Sequence, residues 1–337
     1  MPETDAGDPD TPVAAAHSRQ RNVPLAEVER VLVGDTASLT TPALVALLER
    51  GITVVFQNHR HTPAGVTVGA RRNTAPLMAQ LDTHRDPAAR LDAARALIAA
   101  KTLNMRRVLQ RLAATRGRDI SAVAAMLTEL ARLAAHCASL ETLRGIEGTA
   151  AGCYFASLDE FFPPELPFER RSRRPPHNPA NALLSYLYTL LTTEALTLLH
   201  LHGLEPAWGF LHETDDYKPA LALDIIEPYR APLCDSLALD LLNHKRLAPD
   251  DFRAGNATGK TTDGNAGNAI GGDGSGFYLN TGARRIVHAA WEERLERDFF
   301  HEQTQTRTTL RRSLEDLCLN TRRYFTDRRP LEPFLMN

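Results

Sequence analysis

The sequence predicts an α+β protein in which a small β-rich N-terminal domain precedes a larger all-α domain. Three observations predict it. Short β-branched runs are confined to residues 23–70. From Asp86 onward apolar residues recur instead at three- and four-residue spacing, the helical period. With 337 residues, 43% hydrophobic and 24% charged, the chain is long enough for two buried cores and has the composition of an ordinary globular protein.

Taken in order, residues 1–20 are Asp/Pro/Ala/Thr-rich without periodicity and read as a disordered acidic tail. The β-rich domain is assigned to 21–80. Val31-Leu32-Val33, Thr53-Val54-Val55-Phe56 and Val66-Thr67-Val68 are its candidate strands. Between the first two lies a short helix with Thr40 or Thr41 as N-cap, Pro42 in the first turn and Gly51 past the end. The helical domain is assigned to 86–330. Helices are predicted near 87–101, 103–116, 121–138, 140–156, 219–229, 234–243, 284–303 and 304–323. Residues 180–202 are apolar almost all round, the pattern of a central buried helix. Residues 254–276 hold eight glycines among Asn, Thr and Asp and read as a flexible surface loop.

Net charge is −2, so nucleic-acid binding is not announced by charge alone. Its distribution says more. Arginines cluster at 106–107, 170–174, 284–285, 311–312, 322–323 and 328–329, and arginine suits bidentate phosphate contacts. No run approaches the roughly 20 apolar residues of a membrane span, and the acidic N-terminus argues against a secretory signal. Cys137, Cys153, Cys234 and Cys318 are far apart with no CxxC pair. Reduced thiols in a cytoplasmic protein are expected.

The chemistry is concentrated in Pro206–Arg230. His212 follows a Pro/Gly-containing turn, and Asp224 and Glu227 then fall in an apolar run. At i and i+3 the two acids share a helix face, with Cβ atoms about 5–6 Å apart, and repel unless a cation lies between them. Glu147 sits on the apolar stripe of Leu143, Ile146, Ala150, Cys153 and Tyr154, where an unpaired carboxylate is costly. Either it is a ligand or it pairs with a local arginine such as Arg144. Glu147, His212 and one of Asp224 and Glu227 make a mixed nitrogen and oxygen set suited to Mg²⁺ or Mn²⁺.

Arg170, Arg171, Arg173 and Arg174 precede Pro175-Pro176 in a non-helical connection. They form either a solvated loop or a phosphate-contacting edge. Other motifs fail on inspection. Gly259-Lys260-Thr261 lacks the first glycine of a phosphate loop, since Ala254 stands there. Gly274-Ser275-Gly276 lacks the flanking residues of a nucleophile elbow.

In this order the chain resembles the CRISPR-associated protein one family. The resemblance is carried by Leu143 through Phe155, Arg173 through Tyr188, Pro206 through Arg230, Asp235 through Phe252, and Gly276-Phe-Tyr-Leu-Asn280. It implies a β-rich N-terminal dimerisation domain, an α-helical catalytic domain, a homodimer, and assembly with CRISPR-associated protein two around double-stranded DNA in a prokaryotic cytoplasm. It places the family's metal and catalytic ligands on Glu147, His212 and Glu227, with Asp224 as supporting acid and Mg²⁺ or Mn²⁺ as cofactor. The implied activity is insertion of spacer DNA into the CRISPR repeat array by attack of a 3′-hydroxyl on a phosphodiester, with nicking when water attacks. Two other functions fit the residues alone: a non-catalytic nucleic-acid scaffold, or a metallo-phosphoesterase of small substrates.

Overall fold

The computed structural model describes residues 22–336 apart from 29, 58–62, 68–73, 173–174, 215–217, 257–274 and 302–303. The stretch read as an acidic tail lies outside the described residues.

β1 (Arg30–Val33) and β2 (Thr53–Gln57) are parallel, and β3 (Pro63–Thr67) pairs antiparallel with β2. A parallel pair needs a crossover, which α1 (Thr41–Glu49) supplies. Thr40 caps α1 by accepting the Ala43 N–H at 3.4 Å. Gly51, at φ +74, lets the chain turn back into β2. The central strand is buried on both faces. Val54 joins Val33, Leu47 and Ile52 in a small core of its own. Val55 points to the opposite face by strand alternation and is equally buried; there β2 meets α6 (Pro179–Leu201). Arg30 of β1 also reaches Glu194 of α6 at 2.7 Å.

The remaining helices form one body with one continuous core. They are α2 (Thr74–Arg85), α3 (Pro87–Arg116), α4 (Ser121–His136), α5 (Leu140–Leu158), α7 (Ala220–Tyr229), α8 (Ser236–Asn243), α9 (Thr281–Leu295) and α10 (Leu310–Asp327). α2 packs on α3 and α10, so the helical body begins at Thr74. α6 runs through the middle. Contrary to the expectation that no run approaches a membrane span, it has the length and hydropathy of one, yet 67% of that window is buried inside the protein. All four cysteines are free thiols.

Four predicted boundaries change. The helices expected at 87–101 and 103–116 are one helix of 30 residues, capped by Asp86 at the Ala88 and Ala89 N–H groups and ended by Gly117 at φ +62. The apparent break is the polar patch Lys101, Thr102 and Asn104, which is buried and satisfied internally. The stretch read as a loop over 254–276 instead starts and ends in a hairpin of β4 (Phe252–Asn256) and β5 (Ser275–Leu279); residues 257–274 lie outside the described residues. The helix expected to 303 ends at Leu295. A second hairpin, β6 (Asp298–His301) with β7 (Thr306–Thr309), precedes α10. Finally, α7 runs into a π-helical turn over Arg230–Asp235 before α8. Pro232 has no N–H for the Pro228 carbonyl, and Asn104 of α3 donates to that carbonyl instead, at 2.7 Å.

Candidate functional site

Asp224 of α7 is 1% exposed and organises the segment before it. Its Oδ2 accepts the N–H groups of Phe210 (2.5 Å) and Leu211 (3.0 Å). Its Oδ1 accepts the His212 N–H (3.2 Å) and pairs with His212 Nδ1 (2.6 Å). Gly209 is required for this approach. A Cβ there would lie 2.7 Å from Asp224 Oδ2 and 2.8 Å from the Ala220 carbonyl carbon. Burial disfavours the imidazolium of His212, but the hydrogen bond and charge of Asp224, together with the charge of Glu227, outweigh it and raise the pKa. In the neutral ring, with Nδ1–H donated to the carboxylate, Nε2 carries the lone pair, the arrangement metal-binding histidines use.

The main-chain oxygens of the same segment are held from three other helices. Gln80 of α2 donates to Glu205 O at 2.8 Å and to Trp208 O at 3.4 Å. His84 of α2 bonds Gly209 O at 3.2 Å and stacks on Trp208. Arg90 of α3 donates to Phe210 O at 3.1 Å, and Arg144 of α5 to Leu211 O at 2.7 Å. His212 thus sits on irregular backbone whose polar groups are satisfied on both sides.

Glu147 of α5 and Glu227 of α7 converge on one cation, Lys101 of α3. Its Nζ hydrogen-bonds Glu147 Oε1 and lies 2.6 Å from Glu227 Oε2. Glu227 Oε1 faces Arg230 at 3.2 Å. Burial opposes ionisation of Glu227, but Arg230 and Lys101 outweigh it and hold its pKa down to about 2. Glu227 and Lys101 form a buried floor with side chains 3% and 5% exposed. Glu147 and His212 are the open rim at 27% and 35%. His212 and Glu227 are close enough to shift each other's ionisation.

Behind the floor, the guanidinium groups of Arg230 and Arg171 lie over the Tyr188 ring, 5.0 and 5.2 Å from its centre. Tyr188 and Tyr154 both donate to the buried Asp235, at 2.7 and 3.0 Å. Burial pushes Asp235 up to about 6 despite these two bonds. The π-helical turn puts Arg230 and Asp235 on this network, and such turns are frequent at functional sites.

The geometry separates residues that the sequence left equivalent. Asp224 is consumed by four hydrogen bonds, whereas Glu227 Oε2 has no hydrogen-bond partner in good geometry despite its burial. Arg144 does not pair with Glu147; it holds the His212 segment and pairs with Glu213. Of the arginine run, Arg170 is exposed. Arg171 is committed internally, donating to Ser172 O, Asn181 Oδ1 (2.8 Å) and Ser185 Oγ (3.2 Å). Arg173 and Arg174 lie outside the described residues. Lys101 was not foreseen. Its only signal is a lysine interrupting an apolar helical stripe.

The donor chemistry here fits a hard divalent ion: two carboxylates, one of them buried, and an imidazole oriented through its other nitrogen. The spacing does not close around one. Among the described residues no three His, Cys, Asp or Glu side chains gather closely enough to hold a metal, and the Lys101 ammonium stands between the two acids.

A βαβ unit with an added antiparallel strand, packed on a helical body of this order, is an architecture already known among solved structures. A casposase bound to an integration product superposes with TM-score 0.74 at 22% identity, covering 90% of this chain and 80% of that one. A CAS1 protein from Thermotoga maritima gives 0.69 at 23%, covering 90% and 87%. The sequence matches the family of CRISPR associated protein Cas1 over residues 12–293, and the chain belongs to that family. A CRISPR-associated exonuclease Cas4/endonuclease Cas1 fusion of Rhodospirillum rubrum is 36% identical over 305 residues, which cover 88% of this chain and 49% of the fusion. A CRISPR-associated endonuclease Cas1 of Thermus thermophilus is 36% identical over 230 residues, covering 68% and 67%. The chain therefore spans about half the length of the fusion relatives it matches.

Proposed function

We propose that this chain is a metal-dependent DNA endonuclease and integrase of CRISPR adaptation, with Glu147, His212 and Glu227 as its metal ligands and catalytic centre. The observation that carries the reading is the convergence of two acids from separate helices on one cation, beside a histidine that Asp224 orients. Mg²⁺ or Mn²⁺, when bound, polarises the scissile phosphodiester and stabilises the charge that builds on it. The chain's own contribution is placement. Asp224 holds the His212 ring with Nε2 available, and Arg230 keeps Glu227 ionised. The Tyr188 ring lies against Arg230.

Attack by a DNA 3′-hydroxyl forms one phosphodiester as another breaks, which is spacer integration; attack by water gives nicking. Arg170, with Arg173 and Arg174, supplies phosphate contacts that are salt-dependent and largely independent of sequence. The relatives support duplex DNA as substrate and a Cas2 partner: solved neighbours include a casposase bound to its integration product and Cas1–Cas2 complexes. We further take the chain to act as a homodimer, and the β-rich part of residues 21–80 that precedes Thr74 to be a domain separate from the helical one of 86–330, which α2 joins by its packing.

A second reading has an observation in its favour. Glu147 and Glu227 already possess a cation in Lys101, as they would in a non-catalytic DNA-binding scaffold. One experiment separates the two: a labelled duplex with free 3′ ends and a repeat-containing plasmid, incubated with Mg²⁺, Mn²⁺ or EDTA, with and without the Cas2 partner. The expected result is metal-dependent joining that Glu147→Gln abolishes while duplex binding persists. Wild-type joining by that variant, or joining undiminished in EDTA, would refute the assignment.

A further inference from the structure

Lys101 has no ordinary reason to be where it is. It lies in the middle of α3, 4% exposed, on a helix face that otherwise feeds Leu97, Ile98, Met105 and Val108 into the core. A buried ammonium is tolerated only where paired charges surround it. Here they are two acids that the proposed function uses as ligands. Arg230 faces Glu227 Oε1 at 3.2 Å, so that acid has a charged partner besides Lys101. Its ammonium contacts the other oxygen, Oε2, at 2.6 Å without hydrogen-bond geometry. That is the oxygen left for a ligand, and Glu147 Oε1 is its counterpart on the rim.

We propose that Lys101 is an internal counter-ion of the acid pair, one that a divalent ion must displace. In the metal-free protein it holds Glu147 and Glu227 together against their mutual repulsion. A divalent ion held by these two acids would compete with the ammonium for them, and like charges close together in a buried site repel strongly. Metal and lysine therefore exclude each other. Lys101 sets the metal concentration at which the site fills, and it spares the metal-free fold the repulsion between a buried and a rim carboxylate. The rest of the site need not rearrange: Arg230 still holds Glu227, and Asp224 still holds His212.

This rests on Glu147 and Glu227 being ligands, and the test separates the two claims. Mn²⁺ alone is titrated into the metal-stripped full chain and free Mn²⁺ is followed by electron paramagnetic resonance, with thermal unfolding in parallel. Wild type is compared with Lys101→Met, Lys101→Gln and Glu147→Gln. The expected result is Mn²⁺ binding tightened about tenfold or more in both lysine variants, a lower melting temperature without metal, and a larger rise on adding it. Glu147→Gln should lose the binding. Should Lys101→Met fail to fold, Lys101→Gln carries the measurement, because its amide still donates to both carboxylates. Unchanged or weaker binding in the lysine variants, with Glu147→Gln still losing it, overturns the counter-ion and leaves the metal site standing. Binding indifferent to Glu147→Gln overturns both.

Discussion

Asparagine at position 224 keeps the side-chain volume of aspartate but halves what the group can accept. Asp224 takes four hydrogen bonds, from the N–H groups of Phe210, Leu211 and His212 and from His212 Nδ1, at 2.5 to 3.2 Å. An amide oxygen can accept two, and the amide nitrogen would face donors on whichever side it took. The less costly arrangement keeps oxygen on Phe210 and Leu211 and turns the nitrogen toward His212. The ring then accepts at Nδ1, so its proton moves to Nε2, where a ligand needs a lone pair. One backbone N–H, that of His212, stays unsatisfied, worth about 1–3 kcal/mol of stability. Metal affinity should fall by a comparable free energy, the roughly 10- to 100-fold typical of losing the group that orients a metal-bound histidine. Equilibrium urea unfolding gives the first quantity and Mn²⁺ titration of the metal-free protein the second. Wild-type values for both would refute the placement of Asp224 as organiser of the histidine.

Two further predictions test the surroundings. Gly209→Ala forces a Cβ within 2.9 Å of Asp224 Oδ2 and of two Ala220 atoms. It should cost about 1–3 kcal/mol in urea unfolding and impair joining, and a variant as stable and active as wild type would contradict the close approach. Asp235, pushed up to about 6 from 3.8, holds its proton more tightly folded than unfolded, so folding takes up a proton. Its contribution is full below about 4, declines as pH rises toward about 6, and levels off above. The shift is worth roughly 3 kcal/mol. The stability difference between wild type and Asp235→Asn should therefore move in the variant's favour by that order between pH 4 and pH 7. A difference that ignores pH would exclude the shift.

How much was readable in the sequence depended on whether a residue's role was local. The change of period near Asp86 located the helical body, and Thr40, Pro42 and Gly51 marked the ends of α1, because caps and periods act within a few residues. The three acids and His212 stood out as polar groups in apolar runs. What separated Asp224 from Glu227 was not local. Both lie on one face of α7, and only the path of residues 209–212 around Asp224 distinguishes them. Lys101 escaped for the same reason. Beside Thr102 and Asn104 it resembled a gap between two helices, because its partners are 46 and 126 residues away along the chain. The two late hairpins were missed because their strands lack the apolar β-branched runs that marked β1 and β2.

The segment carrying His212 has no regular structure of its own, and the bonds to its carbonyls span 67 to 128 positions of sequence. Its shape is thus a late product of folding. Closing loops that long is entropically unfavourable until the helices that supply Gln80, His84, Arg90 and Arg144 have docked. A chain still emerging from the ribosome holds the acids and the histidine but not their arrangement. On the proposed reading, the site that would act on DNA is complete only once the helical body is.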